Sequence, residues 1–196
     1  MVRSYPNVVV TGTPGTGKST LAAQLCDSYS GPSGKRVLRH IDVGPLVKEQ
    51  GLHKSYDADW DSYEVNEDRL LDYLEPWSGG SAPDPQDTDP AACAEAHRLA
   101  DDDETRGGLV LDWHTCDAWP ERWADLVIVL RNYPEKKIAE NNEAEIMGVI
   151  ADDALDGYAP EAVVMLTSES ADEMESNIER VVDWVRTWRM QRGFAA

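Results

Sequence analysis

Residues 12–19 constrain this chain more than any other stretch: Gly-Thr-Pro-Gly-Thr-Gly-Lys-Ser matches the pattern G-x-x-x-x-G-K-[ST]. A loop of this kind can wrap a phosphate only if a strand leads into it and a helix leaves it. The glycines free the backbone to curl, so that successive N–H groups point inward, and the helix start adds the positive end of its dipole. Both neighbours are legible. Asn7–Thr11 is a β-branched run, and Lys18–Tyr29 has a helical pattern. The motif therefore predicts nucleoside triphosphate binding. Gly12, Gly15, Thr16, Gly17, Lys18, Ser19 and Thr20 are the candidate phosphate-binding residues, with Lys18 reaching the β and γ phosphates and Ser19 serving a magnesium ion.

Four more short apolar runs follow: Arg36–Asp42, Gly108–Trp113, Asp125–Arg131 and Ala162–Thr167. Most are apolar on both faces, as strands of a parallel sheet covered on both sides must be. Helical spacing marks 65–74, Glu135–Tyr158 (with Ile138, Ile146, Met147, Ile150, Ala154 and Leu155 as its apolar stripe) and Ser170–Met190. Ser168 or Ser170 would cap the last helix, with Asp172 and Glu173 in its first turn. Strands alternating with helices predict an α/β protein: a P-loop core with a five-stranded parallel sheet and helices on both faces. At 196 residues, one domain spanning 1–196 is expected.

Charge narrows the partners. Eighteen Lys+Arg against 37 Asp+Glu leave a net charge of −19, which opposes unspecific binding to nucleic acid or anionic lipid and favours basic partners. The acids concentrate between Asp57 and Glu104, where they outnumber bases about eight to one. Within that stretch, residues 77–107 hold WSGGSAPDPQDTDP and DDDETRGG, too rich in Pro, Gly and Asp for a packed strand or a long helix. A solvated insertion is the first expectation and a docking surface for a basic partner the second. No apolar run is long enough to span a membrane, and the opening MVRSYPNVVVTG is too polar for a signal sequence. Three scattered cysteines, Cys26, Cys93 and Cys116, fit neither a disulfide framework nor a zinc site and suit a reducing compartment.

Two more candidates come from Gly108–Trp113. Asp112 ends that run, where a P-loop protein places its second magnesium-organising carboxylate; a strand-capping Asp is the alternative. His114 lies two residues on, on the same face if the strand continues that far; spacing leaves it between a site residue and a polar turn histidine. Asp117–Trp123 reads as a surface turn packed by Trp119 and Trp123. No DxxG or NKxD segment is present, which weighs against a GTPase.

Several longer blocks carry a resemblance: TGTPGTGKST; HIDVGPLVKEQ followed by YDADWDSYEVNEDRLLDYLE; LVLDWHTCDAWPERWADLVIVLR; YPEKKIAENNEAEIM; and the tail DEMESNIERVVDWVRTW. Together they resemble the nuclear adenylate kinase isoenzyme 6 family, also described as coilin-interacting nuclear ATPases and small-subunit ribosome assembly factors. The resemblance implies an adenylate-kinase-like fold with an AMP-side flap over 42–65 and a short lid over 130–140. It implies ATP and AMP as substrates, Mg²⁺ held by Ser19 and, through a water, by Asp112, and His114 as a catalytic or conformation-coupling histidine. It further implies a basic small-subunit ribosomal protein and a pre-ribosomal particle as partners, and a nuclear and cytoplasmic location.

Two departures from that family bear on activity. VLR runs straight into NYPEKK, without the helix that separates them in the family, so Arg131 must stand where the family has both a strand-end and a lid arginine. Arg131 is accordingly the fourth catalytic candidate, with Lys18, Asp112 and His114. After Gly44-Pro45-Leu46-Val47 comes Lys48, which cannot make the bidentate phosphate contact of an arginine. The expected function is transfer of a phosphoryl group from ATP to AMP with ATPase activity, in small-subunit assembly. The alternative is a nucleotide-binding scaffold for a basic ribosomal protein, with little turnover because the lid is short.

Overall fold

A computed structural model describes residues 3–31, 34–58, 62–79, 107–131 and 142–195. In chain order the elements are β1 (Val8–Gly12), α1 (Lys18–Ser28), β2 (Arg39–Asp42), α2 (Val43–Glu49), β3 (His53–Asp57), β4 (Ser62–Val65), α3 (Glu67–Leu74), β5 (Leu109–Asp112), β6 (Leu126–Arg131), α4 (Asn142–Gly157), β7 (Val163–Thr167) and α5 (Ala171–Gln191). One-turn 3₁₀ segments follow α3 (Glu75–Ser78) and precede β7 (Pro160–Ala162).

Five strands form one parallel sheet in the order β2-β5-β1-β6-β7, and each coincides with a run read from the sequence. Parallel pairing requires crossovers, and helices supply them on both faces. Val8 and Val10 of β1 face α1 and α5, joining Leu21, Leu25, Ile178 and Val185 in one core. Val9 faces the other way, with Leu111, Val127 and Val129, into a second core closed by Val43, Leu70, Leu74, Ile150, Ala154 and the indoles of Trp119 and Trp123. Because both faces are covered, the alternation of a half-buried strand disappears and β1 is buried along its whole length.

Helix termini follow local chemistry. Ser170 caps α5 by accepting from the N–H of Glu173 at 3.2 Å, and Asp172 and Glu173 sit against the positive dipole end. Asn66 does the same for α3 through the N–H of Arg69, at 3.2 Å. The turn after β5 is packed as expected, with Trp119 and Trp123 stacked at 6.5 Å. Tyr158, immediately after α4, ties that turn down by donating to the carbonyls of Cys116 and, at 3.1 Å, of Trp119.

Four expectations change. Val65 belongs to β4, so α3 begins at Glu67. Leu155 is exposed, because α4 packs through Ile150, Ala154 and Tyr158, each four residues apart, which turns Leu155 outward. The stretch 42–65 is built from α2 and an antiparallel β3–β4 hairpin, which periodicity did not mark. β5 stops at Asp112, so the strand does not carry His114. The insertion is described only at its ends, and Cys93, residues 132–140 of the proposed lid and the start expected for α4 lie outside the described residues. Among the described residues no helix is long and apolar enough to cross a membrane.

Candidate active site

Parallel strands all end on one edge of the sheet, and that edge assembles the site. Gly12 pairs with Leu130 in β6, and Val10 pairs with Asp112 in β5. The loop after β1 therefore rises between the ends of its two neighbours. Gly12 cannot be replaced there: its φ is 144°, and a Cβ would stand 2.5 Å from the Leu130 carbonyl oxygen. Gly17, at φ 90°, starts α1, and a Cβ on it would meet Met174 Cε at 2.9 Å. No side chain caps α1, so its first-turn N–H groups keep their capacity for an anion. Thr16 is buried, and its hydroxyl donates to the Thr13 carbonyl at 2.9 Å, which holds the loop curled.

Lys18 lies across this loop, Nζ donating to the Thr13 carbonyl at 2.9 Å. Burial lowers its pKa, and the carboxylates of Asp112 and Asp42 oppose that. The two carboxylates thus favour the charged ammonium, the form that pairing with a phosphate requires. Ser19 and Thr20 are exposed on the first turn of α1. Beside them opens a recess of about 310 Å³ walled by Thr20, Gln24, Ser168, Ser170 and Met174.

Asp112 is buried and shares the α1-facing side of β5 with Val110. Burial pushes its carboxyl up. Hydrogen bonds from His40 and Ser19, with the charges of His40 and Lys18, outweigh that and hold it below the usual carboxylate value. Asp42 is paired with Asp112 in the β2–β5 register. Its carboxyl is held above the ordinary value, by partial burial and then by Asp112; His40, the Gly44 N–H and Lys18 pull the other way. His40 and Asp42 are thus site neighbours that sequence reading missed. The available signal was His-Ile-Asp closing the second strand, which puts two polar side chains on one face at the strand end.

His114 sits in the bend after β5, its ring 4.4 Å from that of Trp113. Desolvation lowers its pKa, the Lys18 charge adds to this, and Asp117 opposes both. The bend, not a continued strand, keeps His114 within the electrostatic reach of Lys18. Arg131 is placed differently. It follows Val127 and Val129 on the face opposite Asp112, where Nη2 meets Met165 Sδ at 3.7 Å and the buried Nε has no partner among the described residues. The arrangement brings Lys18, Ser19, Asp112 and His114 together and leaves Arg131 on the other side of the sheet. Lys48 is exposed in the last turn of α2.

The donors at this edge decide which metal suits it. The Ser19 hydroxyl and the Asp112 carboxylate are hard oxygens, the ligands Mg²⁺ prefers, and a nucleotide supplies further phosphate oxygens. With the glycine cradle, they fit a magnesium nucleotide.

A parallel α/β sheet with this loop, lysine and strand-end carboxylate defines a P-loop protein of the kinase or ATPase type. Residues 8–148 match a family described as an AAA domain. An adenylate kinase isoenzyme 6 homolog of Schizosaccharomyces pombe is 38% identical over 95% of this chain and 95% of its own. The homolog FAP7 of Saccharomyces cerevisiae is 33% identical over 96% of this chain and 86% of its own. Among solved structures, a shikimate kinase from Bacteroides thetaiotaomicron aligns over 92% of this chain and 98% of its own, at 13% identity and a TM-score of 0.38, too loose a likeness to bear on substrate. The chain belongs to the adenylate kinase isoenzyme 6 family.

Proposed function

We propose that this protein transfers a phosphoryl group from ATP to AMP, hydrolyses ATP in the absence of an acceptor, and works in assembly of the small ribosomal subunit. The observation that carries the chemical part is the convergence of Lys18, Ser19 and Asp112 on one cradle of backbone N–H groups. Lys18 leaves the Thr13 carbonyl and pairs with the β and γ phosphates, while the first turn of α1 supplies N–H donors. The recess beside Thr20 and Ser168 is our choice for the nucleoside. Ser19 and Asp112 would hold Mg²⁺, which when bound neutralises charge on the phosphates. The acceptor, an oxygen of the AMP phosphate, attacks the γ phosphorus in line as the bond to the β-phosphate oxygen breaks. No covalent enzyme intermediate is needed, so the protein contributes position and charge. His114, whose neutral form is favoured by desolvation and by Lys18, is our choice for a residue beside the transferring group.

The assembly role is supported by the family and by the net charge of −19, which suits a basic ribosomal protein as partner. A nuclear and cytoplasmic location is proposed with it. The scaffold alternative gains from Arg131, whose guanidinium lies against Met165 on the face opposite Asp112.

The test is ADP and phosphate release from Mg-ATP, with and without AMP, for the wild type and Lys18→Ala. AMP-dependent ADP formation that falls about 10²–10³-fold in the variant is expected. Phosphate release indifferent to AMP would favour an assembly ATPase. Neither product, with ATP still raising the melting temperature, would favour the scaffold.

A further inference from the structure

We propose that His40 is a positioning residue, which holds the Asp112 carboxylate in the orientation that lets it, with Ser19, receive the divalent cation of a metal–ATP complex. This rests on the nucleotide-binding reading above.

The geometry is a diagonal reach across two parallel strands. His40 is aligned with Val110, and Asp42 with Asp112. Residues two apart share a face, so His40, Asp42 and Asp112 all lie on the α1 side of the sheet. From there His40 Nε2 reaches forward to Asp112 Oδ2 at 3.3 Å. An ionised carboxylate has no proton to give, so Nε2 must be the donor, which fixes that nitrogen as N–H. Ser19, on the first turn of α1, also favours the ionised form of that carboxylate. The β2 donor thus reaches across to a carboxylate of β5 that is only 4% exposed and has little water to replace it.

His40 also answers a problem that the register creates. Asp42 and Asp112 stand side by side on adjacent strands, where among the described residues His40, Lys18 and the Gly44 N–H favour their ionised forms. When Lys18 swings to the phosphates, His40 is the donor that stays. A merely structural side chain at this place on an edge strand would need no ring nitrogen; leucine would fill the space. Carboxylates that serve a metal are held by outer hydrogen bonds of this kind, and losing one typically weakens metal affinity about 10–100-fold.

The test measures Mn²⁺ binding by electron paramagnetic resonance to the full chain saturated with the non-hydrolysable analogue AMP-PNP. His40→Leu is expected to weaken Mn²⁺ about 10–100-fold, with metal-free AMP-PNP affinity, read by calorimetry in chelator, unchanged. His40→Gln, whose amide nitrogen reaches where Nε2 was, should restore most of the loss. Leucine binding Mn²⁺ like the wild type, or glutamine failing as badly as leucine with both proteins folded, overturns the proposal. Should His40→Leu not fold, His40→Asn replaces it, since its amide stops short of Asp112: Gln strong and Asn weak supports the proposal, and equal affinities overturn it. Asp112→Asn separates the two levels. If Asp112→Asn is weak while His40→Leu is not, only the role of His40 falls; if Asp112→Asn also binds Mn²⁺ normally, the metal reading of the whole edge falls.

Discussion

The phosphate loop and the β3–β4 hairpin are both short excursions from the sheet edge, yet they are held by different physics. The loop leaves β1, which is buried along its whole length, and is clamped between β5 and β6 by parallel pairing. The flap's hairpin exposes nearly all of β3, and its pairing shifts register between His53 and Ser55. In place of a core it has an aromatic ladder: Tyr63 lies 4.6 Å from His53 and 4.9 Å from Tyr56. A two-stranded hairpin is marginal by itself, so its order depends on these rings and on its anchor. The anchor is Leu52, buried against the second core, whose N–H donates to the Val47 carbonyl at 2.9 Å while its own carbonyl accepts from Asn66 at 3.0 Å. One excursion is rigid because the global fold requires it. The other belongs to the low-stability end of the molecule, where elements that close over substrates are found.

Substitutions can break this contrast. The largest effect is expected at Gly12→Ala, where the new Cβ must push Leu130 away and pry β1 from β6. A cost of at least about 3 kcal/mol follows, or about 10 °C in melting temperature for a chain of this size. Leu52→Ala should come next, at about 2–3 kcal/mol in denaturant unfolding, because the anchor is core even though the hairpin is not. Tyr63→Ala should cost the whole protein less than about 0.5 kcal/mol, yet erase amide exchange protection across 53–57 and 62–65 while the sheet stays protected. A global loss as large as that of Leu52→Ala would show that hairpin and core unfold as one, and the contrast would fail.

The same division explains what could be read from the sequence. The loop was legible because its chemistry is local, a fixed spacing between a strand and a helix. The strands were legible because burial on both faces leaves unbroken apolar runs. α2 was hidden by Gly44-Pro45, which reads as a turn. Pro45 lies in the first helical turn, where a backbone N–H has no partner in any case, so the helix tolerates it. β3, His-Lys-Ser-Tyr-Asp, shows no alternation because neither face is buried. His40 escaped notice because its role is set by register, a relation between β2 and β5 about 70 residues apart that no local pattern encodes. Arg131 could have been placed: strand parity puts it with Val127 and Val129, away from the loop. The resemblance prevailed over that parity in making it a lid arginine.

The smallest effect sharpens the contrast inside the site itself, where two neighbouring carboxylates should titrate with opposite signs. Asp112 has its folded-state pKa below the ordinary 3.8, so its ionised form stabilises the fold above that value, and the contribution is lost as pH falls through the lower, folded value. Asp42 has its folded-state pKa raised, so ionisation there costs stability at neutral pH, and the cost disappears as acid protonates it. Asp42→Asn should therefore raise the melting temperature at pH 7. Solvent reaches Asp42 and screens it, so the gain should stay below about 1 kcal/mol and close as the pH falls below about 4. Asp112→Asn should lower the melting temperature at pH 7, and its deficit should shrink over the same acid range. Paired melting curves between pH 7 and about pH 3 check both. If both variants moved in the same direction, the strand-end carboxylates would be acting as one shared site.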